Sequence, residues 1–132
     1  MHKSYKSLGL MSGTSGDGVD ASLIKSNGID DYELINEKYF EYDPEIYKNF
    51  HKLKENVNKY EDISKLKTHL SDLERNITIF HSKIIKEFDN SHSDFLVGFH
   101  GQTIYHNSKE KISKQLGDGR LLHQLTKKKI VY

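Results

Sequence analysis

The sequence predicts an α/β protein built around one sheet, and three observations carry that expectation. Residues 5–42 hold three runs with apolar alternation, separated by a glycine-rich break and an Asn-Gly break. Ile63, Leu66, Leu70, Leu73, Ile77, Phe80, Ile84 and Phe88 then recur at steps of three and four, one stripe along a helix of about 25 residues. Behind it comes Asp94-Phe95-Leu96-Val97-Gly98-Phe99, an apolar run that needs burial on both faces, as parallel strands do. A hairpin meander that crosses through a helix to a parallel strand is a favoured topology.

Taken in order, residues 5–11 form a first strand and residues 18–26 a second, which ends at Asn27-Gly28. Tyr32 to Tyr42 alternates in part and is rich in aromatics, a third strand. Pro44 suits the first turn of a helix covering Glu45 to Glu55. Asp62 fits as N-cap of the striped helix. Ser71-Asp72-Leu73-Glu74 reads as a capping box that would split that helix, but the unbroken stripe favours one piece. Packing on the sheet explains the stripe better than a coiled-coil partner, because the run is short. Asn90 to Ser93 reads as a loop, residues 103–107 and 111–116 as a small hairpin, and Gly119 to Thr126 as a short helix. Ile130-Val131-Tyr132 begins another strand, so the principal order is βββαβαβ.

Composition narrows the function classes. A chain of 132 residues suffices for one domain with a modest core. Its net charge of +1, with 18 Lys but only Arg75 and Arg120 as guanidinium groups, argues against a nucleic-acid partner. The absence of cysteine removes disulfide, thiolate and zinc-thiolate chemistry. No apolar run approaches a membrane span, and the N-terminus, Met1-His2-Lys3-Ser4-Tyr5-Lys6, has no signal-peptide core, so the expected setting is the cytoplasm. Eight histidines make no recognised metal-ligand spacing. There is no P-loop sequence, and Ser15 lacks the context of a hydrolase elbow. Lys127-Lys128-Lys129 reads as a solvated helix end, favourable against the helix dipole.

The densest chemistry lies between the first two strands. Three glycines, three hydroxyls and two aspartates fall in the nine residues Ser12 to Asp20. Glycines let backbone approach a ligand, and successive N–H groups in such a turn form a nest for an anion. Ser12, Thr14 and Ser15 add donors, while Asp17 and Asp20 suit a magnesium ion or its waters beside a phosphate. Composition alone leaves a solvated Gly/Ser/Asp loop equally open. A second polar turn, His100-Gly101-Gln102-Thr103, follows the apolar run Asp94 to Phe99, at the strand end where α/β sheets bind ligands. Imidazole, amide and hydroxyl groups there can read sugar hydroxyls and an acetamido group. The alternative is a polar turn with His100 satisfied by backbone. In a third segment, Gln115-Leu116-Gly117-Asp118-Gly119, Asp118 either caps the next helix or lines a cleft.

Met11-Ser12-Gly13-Thr14-Ser15-Gly16-Asp17-Gly18-Val19-Asp20 resembles the N-terminal signature of the anhydro-N-acetylmuramic acid kinases, sugar kinases of the actin/hexokinase/Hsp70 ATPase superfamily. Gly98 to His106 and Gln115 to Gly119 resemble two further family motifs, in the family's order and at family-like spacing. The resemblance spans nearly the whole chain and implies a ribonuclease H-like lobe over residues 1–132, truncated at its fifth strand, with the second lobe absent.

It also implies ATP and Mg2+ as cofactors. Gly13, Thr14, Ser15, Gly16, Asp17, Gly18, Val19 and Asp20 fall on the ATP-binding segment, with Asp17 near the magnesium, and Asp20 either there or bonding loop amides. His100, Gly101, Gln102 and Thr103 fall at the sugar-binding cleft. Position 16 is usually a larger apolar residue in the family, so Gly16 is expected to loosen the loop. The implied reaction opens 1,6-anhydro-N-acetylmuramic acid with water and phosphorylates O6. Its general base, an aspartate, is expected beyond Tyr132, so the chain itself holds no catalytic residue of that kind. As an N-terminal fragment it should be inactive alone and should expose apolar surface. The full-length family often dimerises. The rival readings are a non-catalytic sugar- or nucleotide-binding module, one half of a split kinase and, last, a structural role carried by the long helix.

Overall fold

The computed structural model describes residues 3–92 and 94–132. Met1 and His2 of the polar N-terminus, and Ser93 of the expected 90–93 loop, lie outside the described residues. The fold is mixed α/β. Strands β1 (Tyr5–Met11), β2 (Gly18–Ser26) and β3 (Tyr32–Glu41) form an antiparallel meander. Its second turn is set by Asn27, whose Oδ1 accepts from the N–H groups of Ile29, Asp30 and Asp31, while Gly28 takes a φ of +76°. Helices α1 (Pro44–Asn56), α2 (Tyr60–Lys65) and α3 (Lys67–Ser91) lead to β4 (Phe95–Phe99), parallel to β1. A separate hairpin, β5 (Gln102–Asn107) and β6 (Ile112–Leu116), precedes α4 (Gly119–Thr126) and β7 (Ile130–Val131), which is parallel to β4. The main sheet runs β3-β2-β1-β4-β7. The chain departs from the expected seven-element order: it adds the hairpin and divides the first crossover into three helices.

The striped segment is broken at Leu66, not at the Ser71-Asp72-Leu73-Glu74 box, through which α3 runs without interruption. Leu66 leaves helical geometry for one residue, and both it and Ile63 pack against the core. Asp62 is therefore not an N-cap. It sits at the third position of α2 and accepts from the N–H groups of Asn58 (2.9 Å) and Lys59 (3.1 Å). The Asn58 bond chiefly holds its carboxyl below the ordinary value. At the other end α3 continues through Ser91, so the expected loop at Asn90 is helix.

Helices α1, α3 and α4 cover one sheet face. Leu8, Leu10, Ala21, Leu23, Phe95, Val97 and Phe99 point there and bury against Ile46, Phe50, Ile77, Ile84, Ile85 and Leu122. The strand expected to be covered on both sides is covered on one: Leu96 and Gly98 are only half-buried. The strand registers place Tyr5, Met11, Tyr32, Leu34, Tyr39 and Val131, all exposed, on the open face. Among the described residues, no helix is long and apolar enough to cross a membrane.

Lys127-Lys128-Lys129 is only partly solvated. Lys127 takes the left-handed C-cap of α4, but Lys128 is half-buried. Its Nζ lies 2.6 Å from Asp89 and 4.3 Å above the Phe95 ring centroid. The aliphatic stem of a lysine packs on apolar surface while its ammonium finds a carboxylate at the rim.

Candidate active site

The parallel pairing of β1 with β4 brings their carboxyl ends together, with Leu10 opposite Phe99. The turn of residues 12–17 and the turn at residues 100–101 therefore emerge side by side. Four hydrogen bonds fix their relation. The Tyr42 hydroxyl, at the end of β3, donates to Gln102 Oε1 (3.0 Å) and lies 3.2 Å from Ser12 Oγ. Gln102 Nε2 donates to the Gly13 carbonyl (2.6 Å), and the Tyr42 backbone N–H donates to the Asp17 carbonyl (2.9 Å). Beneath them lies His81 of α3, fully buried. Its Nδ1 is 2.7 Å from the Ile77 carbonyl and its Nε2 3.5 Å from Ser12 Oγ.

Burial sets the protonation of this cluster. It pushes the His81 pKa down to about 4, against a smaller opposing effect of the Ile77 bond. The neutral ring then carries its hydrogen on Nδ1, toward Ile77, and turns a lone pair toward Ser12. Tyr42 is pushed up to about 12, first by burial. Its single hydrogen goes to Gln102, so its oxygen takes the one hydrogen of Ser12, and the longer 3.5 Å approach of His81 Nε2 to Ser12 Oγ carries no proton.

The first turn is open to solvent. Gly13, Thr14, Ser15 and Asp17 are exposed. Among the described residues, the N–H groups of Gly13, Thr14 and Ser15 have no protein acceptor. Lys54 of α1, absent from every sequence motif, reaches over the Phe50 ring and donates to the Thr14 carbonyl at 2.7 Å. It puts an ammonium against the backbone of the turn. Its position two residues before the end of a helix that packs under the turn is legible only after folding.

Gly16 does not loosen the loop. It is buried with a φ of +71°, and any Cβ there would run into the Phe50 ring. The Phe50 side chain, fully buried, fills the volume that a larger residue at position 16 would need. Gly18 is equally enclosed, against Tyr39 and the Phe40 carbonyl. Val19 is a core residue, so only its backbone belongs to the turn. Asp20 bonds no loop amide among the described residues. It faces the open side of the sheet and lines, with Met11, Ser22, Gly98 and His100, a depression of about 490 Å³.

In the second turn, His100 is exposed, with Nδ1 3.2 Å from the Gly101 carbonyl. Gly101 has a φ of +81°, and a Cβ there would strike the Leu116 carbonyl. That close approach joins the second motif to the third. Gln102 is wholly buried with both ends of its amide engaged, so it braces the turns and has no free group for a sugar. Thr103 is half-buried. Asp118 caps α4 by accepting from the Leu121 N–H at 2.9 Å, while Glu74 and Thr78 of α3 accept from the N–H groups of Gly117 and Asp118. No three His, Cys, Asp or Glu side chains group as a metal site among the described residues.

A glycine turn braced against a polar turn at the ends of two parallel strands defines an α/β protein whose two polar turns lie side by side at one end of the sheet. The chain belongs to the anhydro-N-acetylmuramic acid kinase family: the family profile of that description matches residues 5–132. The anhydro-N-acetylmuramic acid kinase of Pelagibacter ubique (strain HTCC1062) is 56% identical over 134 residues, covering 100% of this chain and 36% of that relative. The enzyme of the same name from Agrobacterium fabrum is 33% identical over 130 residues, covering 95% of this chain and 35% of the relative. That from Rhizobium etli is 32% identical with the same coverage. The chain thus spans about a third of the length of the curated relatives it matches.

Proposed function

We propose that these 132 residues are the phosphate-side lobe, of the actin/hexokinase type, of an ATP-dependent kinase acting on 1,6-anhydro-N-acetylmuramic acid in the cytoplasm. The observation that carries the reading is the solvent-facing turn with three amides unpartnered among the described residues and the Lys54 ammonium on its backbone. Such a turn fits the terminal phosphates of a nucleotide, whose charge falls on exposed N–H groups and one cation. The exposed carboxylate of Asp17 fits a magnesium ion carried by that nucleotide; when bound, the ion would supply charge neutralisation on the phosphates.

The chain's own residues then have distinct parts. Thr14 and Ser15 cradle the γ-phosphate through N–H and hydroxyl groups. Lys54 adds charge. His100, Thr103 and the Asp20 rim face the sugar side, and Gln102 holds the two sides at a fixed separation. In the reaction, water adds to C1 as the C1–O6 bond breaks, and O6 takes the γ-phosphoryl group, giving N-acetylmuramic acid 6-phosphate and ADP. The base that takes the water proton belongs to the length that the relatives have beyond this third, as does the second lobe. The isolated 132 residues therefore bind without turnover, and full-length copies pair as dimers.

The test is a phosphorylation assay with magnesium-ATP and the anhydro sugar. A chain extended to the relatives' length should form the 6-phosphate, and the 132 residues alone should not. Turnover by the isolated chain, or none by the extended one, sinks the reading.

A further inference from the structure

We propose that Tyr42 is a positioning residue that locks the turn at residues 12–17 and the turn at residues 100–103 into one unit, so that a shift in either is passed to the other. Three separate segments of the chain meet on its hydroxyl, yet it belongs to none of the three motifs. The residue holds the first turn at both ends, through its N–H on the Asp17 carbonyl and its hydroxyl on Ser12. The same hydroxyl holds Gln102, which returns to the Gly13 carbonyl. The bonds close a circuit: Ser12 to Tyr42, Tyr42 to Gln102, Gln102 to Gly13, and Gly13 to Ser12 by the chain itself.

Every member is enclosed except the Gly13 backbone. Tyr42 is 4% exposed, Ser12 4% and Gln102 0%. Water cannot replace a lost partner in such a place, so each bond constrains the next. The Tyr42 ring is itself fixed edge-on to Phe80 of α3, with centroids 5.1 Å apart. Behind Ser12 the His81 ring leaves no room for the serine to retreat. A ligand that draws the Thr14 and Ser15 amides outward must move Gly13, and through its carbonyl Gln102, and through Gln102 the Thr103 carbonyl, which lies 3.3 Å from Nε2. The inference rests on the proposed function only for naming one turn the phosphate side and the other the sugar side.

The experiment uses the 15N-labelled chain and its Tyr42→Phe variant. In the wild type the Gln102 side-chain amide should give exchange-protected signals. In Tyr42→Phe that protection should fall about fivefold to tenfold, the loss of one buried hydrogen bond. The Gly13 and Thr14 signals should shift with it, while the sheet amides of Leu23 and Val97 keep their protection. Magnesium-ATP should move the signals of both turns in the wild type, and those of the second turn several-fold less in the variant, where Gln102 keeps its bond to the Gly13 carbonyl but is no longer held by the tyrosine. If the variant does not fold, Ser12→Ala should shift the Gln102 signals through the intact tyrosine. Unchanged Gln102 signals, protection lost equally across the sheet, or a second turn that follows the first as far in Tyr42→Phe as in the wild type would overturn the proposal. Should magnesium-ATP move neither turn while Gln102 responds to the substitution, the nucleotide reading fails and the brace stands.

Discussion

Tyr42 donates its phenolic hydrogen to Gln102, 60 residues further along the chain, at 3.0 Å inside the core. That bond explains why two polar turns from distant parts of the sequence lie together. The parallel pairing of β1 and β4 brings them near, and the tyrosine fixes the remaining freedom. His81 supplies shape and a lone pair, with no charge to be balanced.

Stability should fall in acid through that histidine. His81 has an ordinary value of 6.5 in the unfolded chain and about 4 in the folded one. Between those values the unfolded state binds the extra proton, so stability is full above about pH 6.5 and is lost as pH falls toward 4. The loss attributable to this residue should approach 3 kcal/mol, roughly, at the low end of that window. Urea unfolding at a series of pH values, compared between wild type and His81→Leu, measures it. The slope over that window should flatten in the variant, and an equal slope in both would exclude His81 as its source.

A side chain at position 16 should be destabilising unless Phe50 gives way. Gly16→Ala meets both a left-handed backbone and the Phe50 ring, for a cost of about 2 kcal/mol or more. Phe50→Leu loses apolar packing, about 1 kcal/mol or more. The pair should be less damaging than the two effects added, because the smaller side chain opens the space the new methyl needs. A double-mutant cycle on thermal or urea unfolding gives the coupling directly. Strict additivity would mean that Phe50 is not what fills the site.

Much of this arrangement was legible in the chain, for identifiable reasons. The strands at residues 5–11 and 18–26 were bounded by turn residues and matched the observed limits, because glycines and Asn-Gly stop a ladder sharply. The stripe from Ile63 to Phe88 located the helical crossover, but the break at Leu66 leaves no trace in periodicity, since both sides keep the same buried face. The turns themselves were visible by composition. Their mutual brace was not: Tyr42 reads as one more aromatic in a β run, and His81 as one more histidine. The spacing did hold a hint, since His81 lies four residues after Ile77 and three before Ile84, on the core stripe. A polar group there had to find a buried partner. Lys54 had no comparable signal, because a lysine near a helix end is ordinary surface until the fold carries it to Thr14.

Removing the Lys54 charge should weaken nucleotide binding without unfolding the chain. The side chain is exposed and its bond to Thr14 is a single one, so Lys54→Met should leave the unfolding midpoint nearly unchanged. Magnesium-ATP affinity should drop about fivefold at low salt, and the difference should shrink as ionic strength rises. Calorimetric titration at two salt concentrations checks both. Equal affinity for wild type and variant would remove the lysine from the phosphate site.

The open sheet face should govern how the isolated chain behaves in solution. Tyr5, Met11, Tyr32, Leu34, Tyr39 and Val131 lie exposed on one side of a five-stranded sheet whose other side is packed. At its margin β3 is an edge strand of ten residues, with backbone groups free to pair with another chain. Exposed apolar surface beside an unpaired edge is a recognised route to association. The 132 residues should bind a hydrophobic dye and form large species at micromolar concentration. Tyr32→Lys with Leu34→Lys, both on that face at the edge, should suppress association while costing little stability, because neither side chain contributes to the core. Light scattering and urea unfolding on the same samples separate the two effects. Unchanged association with unchanged stability would mean that another surface drives it.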